Sequence, residues 1–454
     1  MIPLRRKQAG NESSGTPPTV LYICHNHPAV RPGGAEAYAL ELHRHLRDSG
    51  EFESVFLAKG GPPLSVAGRP HLGTCVAPVG GEGRRNEYFL YTDGYDYDWT
   101  FGTIRHDKEL YTKHLRGFLE AVRPDIVHFQ HTMFIGYDAL REIRNTLPDA
   151  PIVYTLHEFM PICHRHGQMV RVGEELPCKE ESPRRCNECF PEISPQTFFM
   201  RKRFIQSHFD LVDLFIAPSA FLAERYVDWG IPREKIRVEE YGRTTPVGTI
   251  VEQNRENRDR FGFFGQLTPF KGVNVLLEAM ALLGDGDGQS GDSLLAALEL
   301  AAGIPAPESR DGRPQPQAFV HGANLDLHPG TFQNRVAELI EQTRGNVTFI
   351  GRYGHEELAR LMGNLDWVVV PSVWWENSPL VIQEAFHFGR PVICSDIGGM
   401  AEKVTHGVNG LHFRAGDPRS LAETIRYAAE TPGLWETLRG GIDPIYPMST
   451  HVAT

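Results

Sequence analysis

One stretch constrains this chain more than any other: Asp366-Trp-Val-Val-Val370 followed by Pro371-Ser-Val-Trp-Trp-Glu-Asn-Ser-Pro-Leu-Val-Ile-Gln-Glu-Ala385. The first part is a short, β-branched, apolar run closed by a proline, the pattern of a strand buried on both faces of a parallel sheet. Ser378 and Pro379 then predict a helix start, with a hydroxyl to cap free N–H groups and a ring whose missing N–H costs nothing at the first turn. That helix is expected to reach about Phe388 and to stop at Gly389. Glu376 is thereby placed in a loop at the carboxyl end of a parallel strand, and Glu384 on the helix that follows. Open α/β sheets bind ligands at this edge. Two carboxylates that accept from hydroxyls, beside helix N–H groups that favour anions, suit a polyhydroxyl ligand carrying phosphates.

The strand, loop, helix pattern recurs along the chain. Thr19–Cys24, Asp125–His131, Pro151–Glu158, Leu211–Ser219 and Lys235–Val238 read as strands in the first half, with helices over 36–45, 107–122, 137–146, 194–209 and 220–229 between or after them. The second half restarts with strand Arg260–Phe264 and a helix over 273–283. It continues with strands Ala318–Gly322, Asn346–Gly351, Pro391–Asp396 and Leu411–Phe413, and helices over 331–343, 355–363 and 418–430. The fold class is therefore α/β with two Rossmann-like domains. The expected division is a flexible leader 1–18, a domain 19–243, a linker 244–257, a domain 258–440 interrupted by an insertion 284–317 with a short helix over 294–302, and a tail 441–454. Gly60 to Thr103, rich in Gly, Pro and aromatics, reads as a surface excursion and a candidate acceptor lid.

Composition excludes some classes. With 41% hydrophobic and 23% charged residues the chain is an ordinary globular protein, and a net charge of -11 argues against wholesale nucleic-acid binding. No apolar run has the length of a membrane span, and the start has no apolar core of a signal peptide, so a cytoplasmic protein is expected. The basic triplet Arg201-Lys-Arg203 reads as a solvated helix face, with peripheral contact to acidic lipid headgroups as the alternative.

Four of the seven cysteines cluster. Cys163 is followed after fourteen residues by Cys178, after seven by Cys186 and after two by Cys189. Four thiolates in a polar segment are enough for one tetrahedral structural zinc, with free or redox-labile thiols, an iron–sulfur cluster or disulfides as the alternatives. Four thiolates leave no open position, so no catalytic metal is implied.

Other loops carry polar residues at strand ends. Gly33 and Gly34 make a glycine turn into the first helix, and Gly265-Gln-Leu-Thr-Pro-Phe-Lys-Gly272 is a glycine-bounded loop whose Lys271 is placed to neutralise a diphosphate. His157 ends one strand, and Arg352 and Tyr353 follow another.

The Glu376 and Glu384 pair, with seven residues between and Asn-Ser-Pro-Leu after the first, resembles the signature of the retaining glycosyltransferases of family 4. The resemblance covers about residues 19–430. It implies two domains facing each other across a cleft, the GT-B arrangement, and transfer of a sugar from a nucleotide-diphosphate donor with retention at the anomeric carbon. It implies that Glu376 contacts the donor sugar, Glu384 the ribose and His157 the sugar near the reacting carbon. Gly33, Gly34, Gly265, Gln266 and Lys271 would lie along the diphosphate, Arg352 and Tyr353 near the nucleobase, and Asn377, Ser378, Pro379 and Leu380 along the donor. Gln266 stands where the family usually has arginine. A sugar-nucleotide epimerase or phosphorylase on the same fold, or a non-catalytic nucleotide-sugar-binding protein, is the alternative. The acceptor, whether saccharide, lipid-linked glycan or small molecule, has no signature here.

Overall fold

The structure is a computed structural model. It describes residues 17–30, 33–61, 74–81, 83–92, 97–173, 176–244, 250, 257–284 and 316–453. Most of the leader, most of the linker, and the insertion with its expected helix over 294–302 lie outside the described residues. By contact density the chain divides into two compact units. The first is Met1–Thr155 with Ile205–Phe215 and Val452–Thr454, and the second is Leu156–Phe204 with Ile216–His451.

In the first unit, β1 (Thr19–Cys24) leads through α1 (Gly34–Ser49) to β2 (Glu53–Gly61). Two further strands follow, β3 (Cys75–Pro78) and β4 (Glu87–Tyr91). A small antiparallel pair comes next, β5 (Tyr97–Asp98) and β6 (Thr103–Ile104). After α2 (Arg116–Val122) come β7 (Ile126–Phe129), α3 (Asp138–Thr146) and β8 (Ile152–Thr155). The strands run side by side as β8-β7-β1-β2-β4-β3. All pairings there are parallel except β3 with β4. Leu21, Ile23, Phe56, Val127, Phe129 and Ile152 are essentially inaccessible, as the apolar runs predict for strands covered on both faces.

The excursion expected over 60–103 is corrected here. Its described part contributes β3 and β4 to the sheet, and Leu90 and Tyr91 are buried. Burial on the sheet outweighs the Gly and Pro content that marks a loop. The expected helix over 107–122 is also broken, with a π-helical turn over Leu110–Leu115 before α2.

The second unit opens with the cysteine segment, which carries α4 (Pro183–Cys189), and with α5 (Pro195–Phe209), whose last turn belongs to the first unit. Strand β9 (Leu214–Ala217) ends in this unit, followed by α6 (Ala220–Trp229) and β10 (Ile236–Val238). The sheet of this unit contains β11 (Arg260–Gln266), β12 (Gln317–Ala323), β13 (Val347–Gly351), β14 (Trp367–Val370), β15 (Val392–Ser395) and β16 (Gly410–Phe413). Their order is β13-β12-β11-β14-β15-β16 and every pairing is parallel.

Alternation along β14 explains its apolar run. Trp367 and Val369 join a cluster built from α7 (Val273–Gly284), α8 (Gly330–Gln342), α12 (Pro418–Glu430) and α13 (Leu434–Gly440). Val368 and Val370 join the cluster on the other face, with α9 (Leu358–Gly363), α10 (Leu380–His387) and α11 (Gly398–Lys403). Each buried side chain of this size contributes roughly 1.5–3 kcal/mol relative to exposure. Beyond the expected last helix over 418–430, the chain forms α13 and, in the expected tail, α14 (Met448–Ala453). Among the described residues no helix is long and apolar enough to cross a membrane.

Candidate active site

Strand order places the site. β11 lies between β12 and β14, and the connections from β11 and β14 run to opposite sides, so a crevice opens between their carboxyl ends. The loop after β11 carries Lys271 and the loop after β14 carries Glu376. They meet: Lys271 Nζ lies 2.5 Å from Glu376 Oε1. Gly272 makes this approach possible, because it turns with φ +70° and a Cβ there would stand 1.9 Å from the carbonyl oxygen of Pro371. Val373 N–H donating to the carbonyl of Phe270 (2.9 Å) ties the loops together.

Glu376 is 7% exposed and accepts two more bonds on Oε1, from the Ser372 hydroxyl (2.8 Å) and the Trp374 indole N–H (3.0 Å). A near-buried carboxylate held by three donors, one cationic, is fixed in orientation. The turn Gly398-Gly399 closes over the same loop. A Cβ on Gly399 would lie 1.6 Å from the carbonyl oxygen of Asn377, and Gly399 N–H donates to the carbonyl of Glu376 (2.7 Å).

Segment 240–243, which follows β10, touches the signature loop and helix repeatedly. Ser378 Oγ donates to Glu240 Oε1 (2.6 Å), and Lys403 Nζ pairs with Glu240 Oε2 (2.5 Å). Burial holds the Lys403 ammonium below its usual range, against the pull of Glu240. Gln383 Nε2 donates to the carbonyl of Tyr241 (3.0 Å), and Arg243 pairs with Glu384 Oε1 (3.3 Å) with both side chains nearly buried. Arg243 in turn exchanges backbone bonds with the tail, donating to Tyr446 and accepting from Met448. His157 joins the same neighbourhood: Asn377 Nδ2 donates to its carbonyl, and its Nδ1 lies 2.6 Å from the Tyr241 hydroxyl.

The expected helix cap is corrected by this arrangement. α10 starts at Leu380, its N-cap is Pro379, and no side chain caps it. Ser378 stands one residue before that N-cap, and its hydroxyl donates to Glu240 without accepting from the first helical N–H groups.

The remaining expected residues are distributed as follows. Gly265 and Gln266 end β11, with Gln266 exposed. Tyr353 packs edge-on against Phe264 (5.4 Å), and burial, then the charge of Glu384, pushes its phenol up. Arg352 is exposed and reaches Asn324 (3.4 Å). Gly33 and Gly34 belong to the first unit, where Gly33 is the extended N-cap of α1 and its carbonyl accepts from Ala37 (3.0 Å). Sequence reading missed Glu240, Tyr241, Arg243 and Lys403. The only available signal was a dense run of charge, Glu239-Glu240-Tyr241-Gly242-Arg243, between a strand and the expected linker.

The four clustered cysteines are free thiols of intermediate burial. Burial, then the charge of Glu181 and of Cys163 and Cys178, pushes Cys186 up to about 12, and burial with a smaller contribution from Cys178 pushes Cys163 up to about 11. The donor set suits a soft tetrahedral ion. Among the described residues, however, no three His, Cys, Asp or Glu side chains are grouped so as to hold a metal ion. The basic triplet is not one solvated face: Arg201 is buried and donates to the carbonyls of Met160 (2.6 Å) and Pro161 (2.7 Å), and Lys202 pairs with Glu181 (3.1 Å). Arg203 is exposed.

The chain is an α/β protein with a cation–carboxylate pair at a topological switch point, and comparison with known proteins sharpens that class. The family described as Glycosyltransferase Family 4 matches residues 32–239, and Glycosyl transferases group 1 matches residues 298–439. The chain belongs to the family-4 glycosyltransferases. A D-inositol 3-phosphate glycosyltransferase of Jonesia denitrificans is 32% identical over 179 residues, 39% of this chain and 37% of that protein. A glycogen synthase of Mycobacterium tuberculosis is 33% identical over 138 residues, 27% of this chain and 33% of that protein. The match thus spans little more than a third of these curated relatives. Among solved structures, a sucrose-phosphate synthase from Thermosynechococcus elongatus superposes with a TM-score of 0.64 at 17% identity, over 96% of each chain. Anabaena HepE, in complex with UDP and glucose, superposes with a TM-score of 0.56 at 19% identity, over 96% of this chain and 97% of that one. At these identities the likeness is one of fold.

Proposed function

We propose that this protein is a retaining glycosyltransferase that moves a sugar from a nucleotide-diphosphate donor to a hydroxyl acceptor in glycan, polysaccharide or glycoconjugate synthesis. The observation that carries the reading is the Lys271–Glu376 pair at the switch point between β11 and β14, with Glu384 on the helix that follows. Lys271 has three ammonium hydrogens, so it can hold Glu376 and still donate to the leaving diphosphate, where charge develops in the transition state. The donors to Glu376 fall on Oε1, and Oε2 is the oxygen that accepts from sugar hydroxyls. Glu384 accepts from the ribose hydroxyls, and His157 contacts the sugar. No side chain of the site is cast as a covalent nucleophile. The acceptor hydroxyl attacks the face that the diphosphate leaves, its oxygen bonds to the anomeric carbon as the carbon–oxygen bond to phosphate breaks, and its proton goes to the leaving phosphate.

The nucleotide part of the donor is supported by HepE having been solved with UDP and glucose, and by a starch synthase IV of Arabidopsis thaliana having been solved with ADP and acarbose. The cytoplasm, where nucleotide sugars are made, is the proposed location. A structural zinc on Cys163, Cys178, Cys186 and Cys189 is a separate proposal that takes no part in the reaction. The function is tested by incubating the protein with a panel of nucleotide-diphosphate sugars and following nucleoside diphosphate release, with the anomeric configuration of the product read by NMR. Release in the wild type that is lost in Glu376→Gln supports the reading. No release from any donor, or an inverted product, overturns it.

A further inference from the structure

We propose that Tyr241 is a positioning residue that fixes the imidazole of His157 in the tautomer carrying its hydrogen on Nε2. The inference rests on the role given to His157 above, and it concerns how that residue is prepared. The Tyr241 hydroxyl lies 2.6 Å from His157 Nδ1, and the two rings stack at 27° with centroids 5.5 Å apart. In a neutral imidazole one nitrogen donates and the other accepts, so the partner of one nitrogen decides the state of both. Tyr241 is 7% exposed, and burial, reinforced by the charges of Glu240 and Glu158, pushes its phenol well above the usual range. The phenol therefore keeps its hydrogen, and in the proposed arrangement it donates that hydrogen to Nδ1. Nδ1 accepts, and Nε2 carries the imidazole hydrogen.

The clamp on this pair is built from both sides. Tyr241 N–H donates to Glu240 Oε1 (2.9 Å), its carbonyl accepts from Gln383 (3.0 Å), and the next residue, Gly242, has no room for a side chain because a Cβ would stand 2.4 Å from His451 Cβ. On the other side Asn377 Nδ2 holds the carbonyl of His157. Tyr241 cannot drift without disturbing the signature helix or the tail.

This state has a chemical consequence. A neutral imidazole with Nε2–H gives a sugar hydroxyl a hydrogen-bond donor and places no full positive charge beside an anomeric carbon that becomes cationic as the diphosphate leaves. A protonated His157 would oppose that charge.

The test combines spectroscopy with kinetics. In protein labelled with nitrogen-15 at histidine, the His157 signals are assigned by their loss in His157→Gln. The wild type is expected to show the Nε2-protonated pattern at neutral pH, and Tyr241→Phe a mixture of tautomers. With the donor that the wild type turns over, Tyr241→Phe is expected to lower kcat about tenfold, the loss of one neutral hydrogen bond at the upper end of its range, and to leave the donor KM within about twofold. An Nδ1-protonated or doubly protonated His157 in the wild type overturns the proposal, as does a kcat in Tyr241→Phe within about twofold of wild type. Should the variant fail to fold, the wild-type spectrum alone decides. A wild type that releases no nucleotide refutes the transferase reading, while its spectrum still decides the tautomer.

Discussion

The ion pair at the switch point can be weighed by a double-mutant cycle. Lys271 Nζ sits 2.5 Å from Glu376 Oε1, with the lysine side chain 31% exposed and the glutamate side chain 8% exposed. A hydrogen bond to a charged group is worth roughly 1.5–3 kcal/mol, and partial exposure of the lysine screens it, which brings the expected coupling to about 1–2 kcal/mol. Lys271→Met leaves Glu376 with the neutral donors Ser372 and Trp374, so the carboxylate stays bound but loses its countercharge. Lys271→Met and Glu376→Gln singly should each destabilise the ligand-free protein in urea unfolding, and the double variant should be less destabilised than their sum by the coupling energy. Lys271→Met should also weaken nucleoside diphosphate binding about ten- to hundredfold in titration calorimetry, because it removes a charge-assisted bond to phosphate. A coupling below about 0.3 kcal/mol together with unchanged nucleotide affinity would refute both the pairing and the diphosphate role of the loop.

Three further outcomes follow from other parts of the molecule. Glu384→Ala should weaken donor and free nucleoside diphosphate alike and release Arg243 from its pair, whereas Glu376→Ala should impair turnover with nearly intact nucleotide binding; calorimetry and kinetics on both variants check the division, and equal losses of affinity would remove it. His43 is inaccessible, and burial, the largest cause, holds its imidazole down to about 4 against an ordinary 6.5. The unfolded chain then binds more protons below 6.5, so stability is full above that pH and is lost as pH falls to about 4, by about 3 kcal/mol, in urea unfolding across that range; His43→Gln should flatten the dependence. The zinc proposal expects about one zinc per chain, lost in the Cys186→Ser/Cys189→Ser variant; metal analysis that finds none, with four freely reacting thiols, rules it out.

Segment 240–243 shows where sequence reasoning stopped. Ser378 and Glu240 are 138 positions apart, Gln383 and Tyr241 142, Glu384 and Arg243 141. Nothing in a charged stretch ahead of an expected linker announces such partners. Periodicity reports which face of an element is buried, not which distant loop meets it. The same limit explains Ser378, whose local context predicts a cap while its hydroxyl donates to a carboxylate brought from another loop. It also explains β3 and β4, where Gly and Pro content spoke for a loop and the neighbouring strand recruited the aromatics into a sheet.

What the sequence determined by itself is the material of each layer. The β-branched runs Thr19–Cys24 and Trp367–Val370 can bury both faces only between helices, Gly265 and Gly272 bound the loop that carries Lys271, and the spacing of Glu376 and Glu384 puts one carboxylate in a loop and the next on a helix. The tertiary structure alone decided the pairings: Lys271 onto Glu376, Glu240 onto Ser378 and Lys403, Tyr241 onto His157. The physical reason is range. Burial and backbone propensity act over a few residues and leave a periodic trace, whereas hydrogen bonds and ion pairs between loops depend on a strand order that brings β11 beside β14 across about a hundred residues, and no local pattern encodes that order.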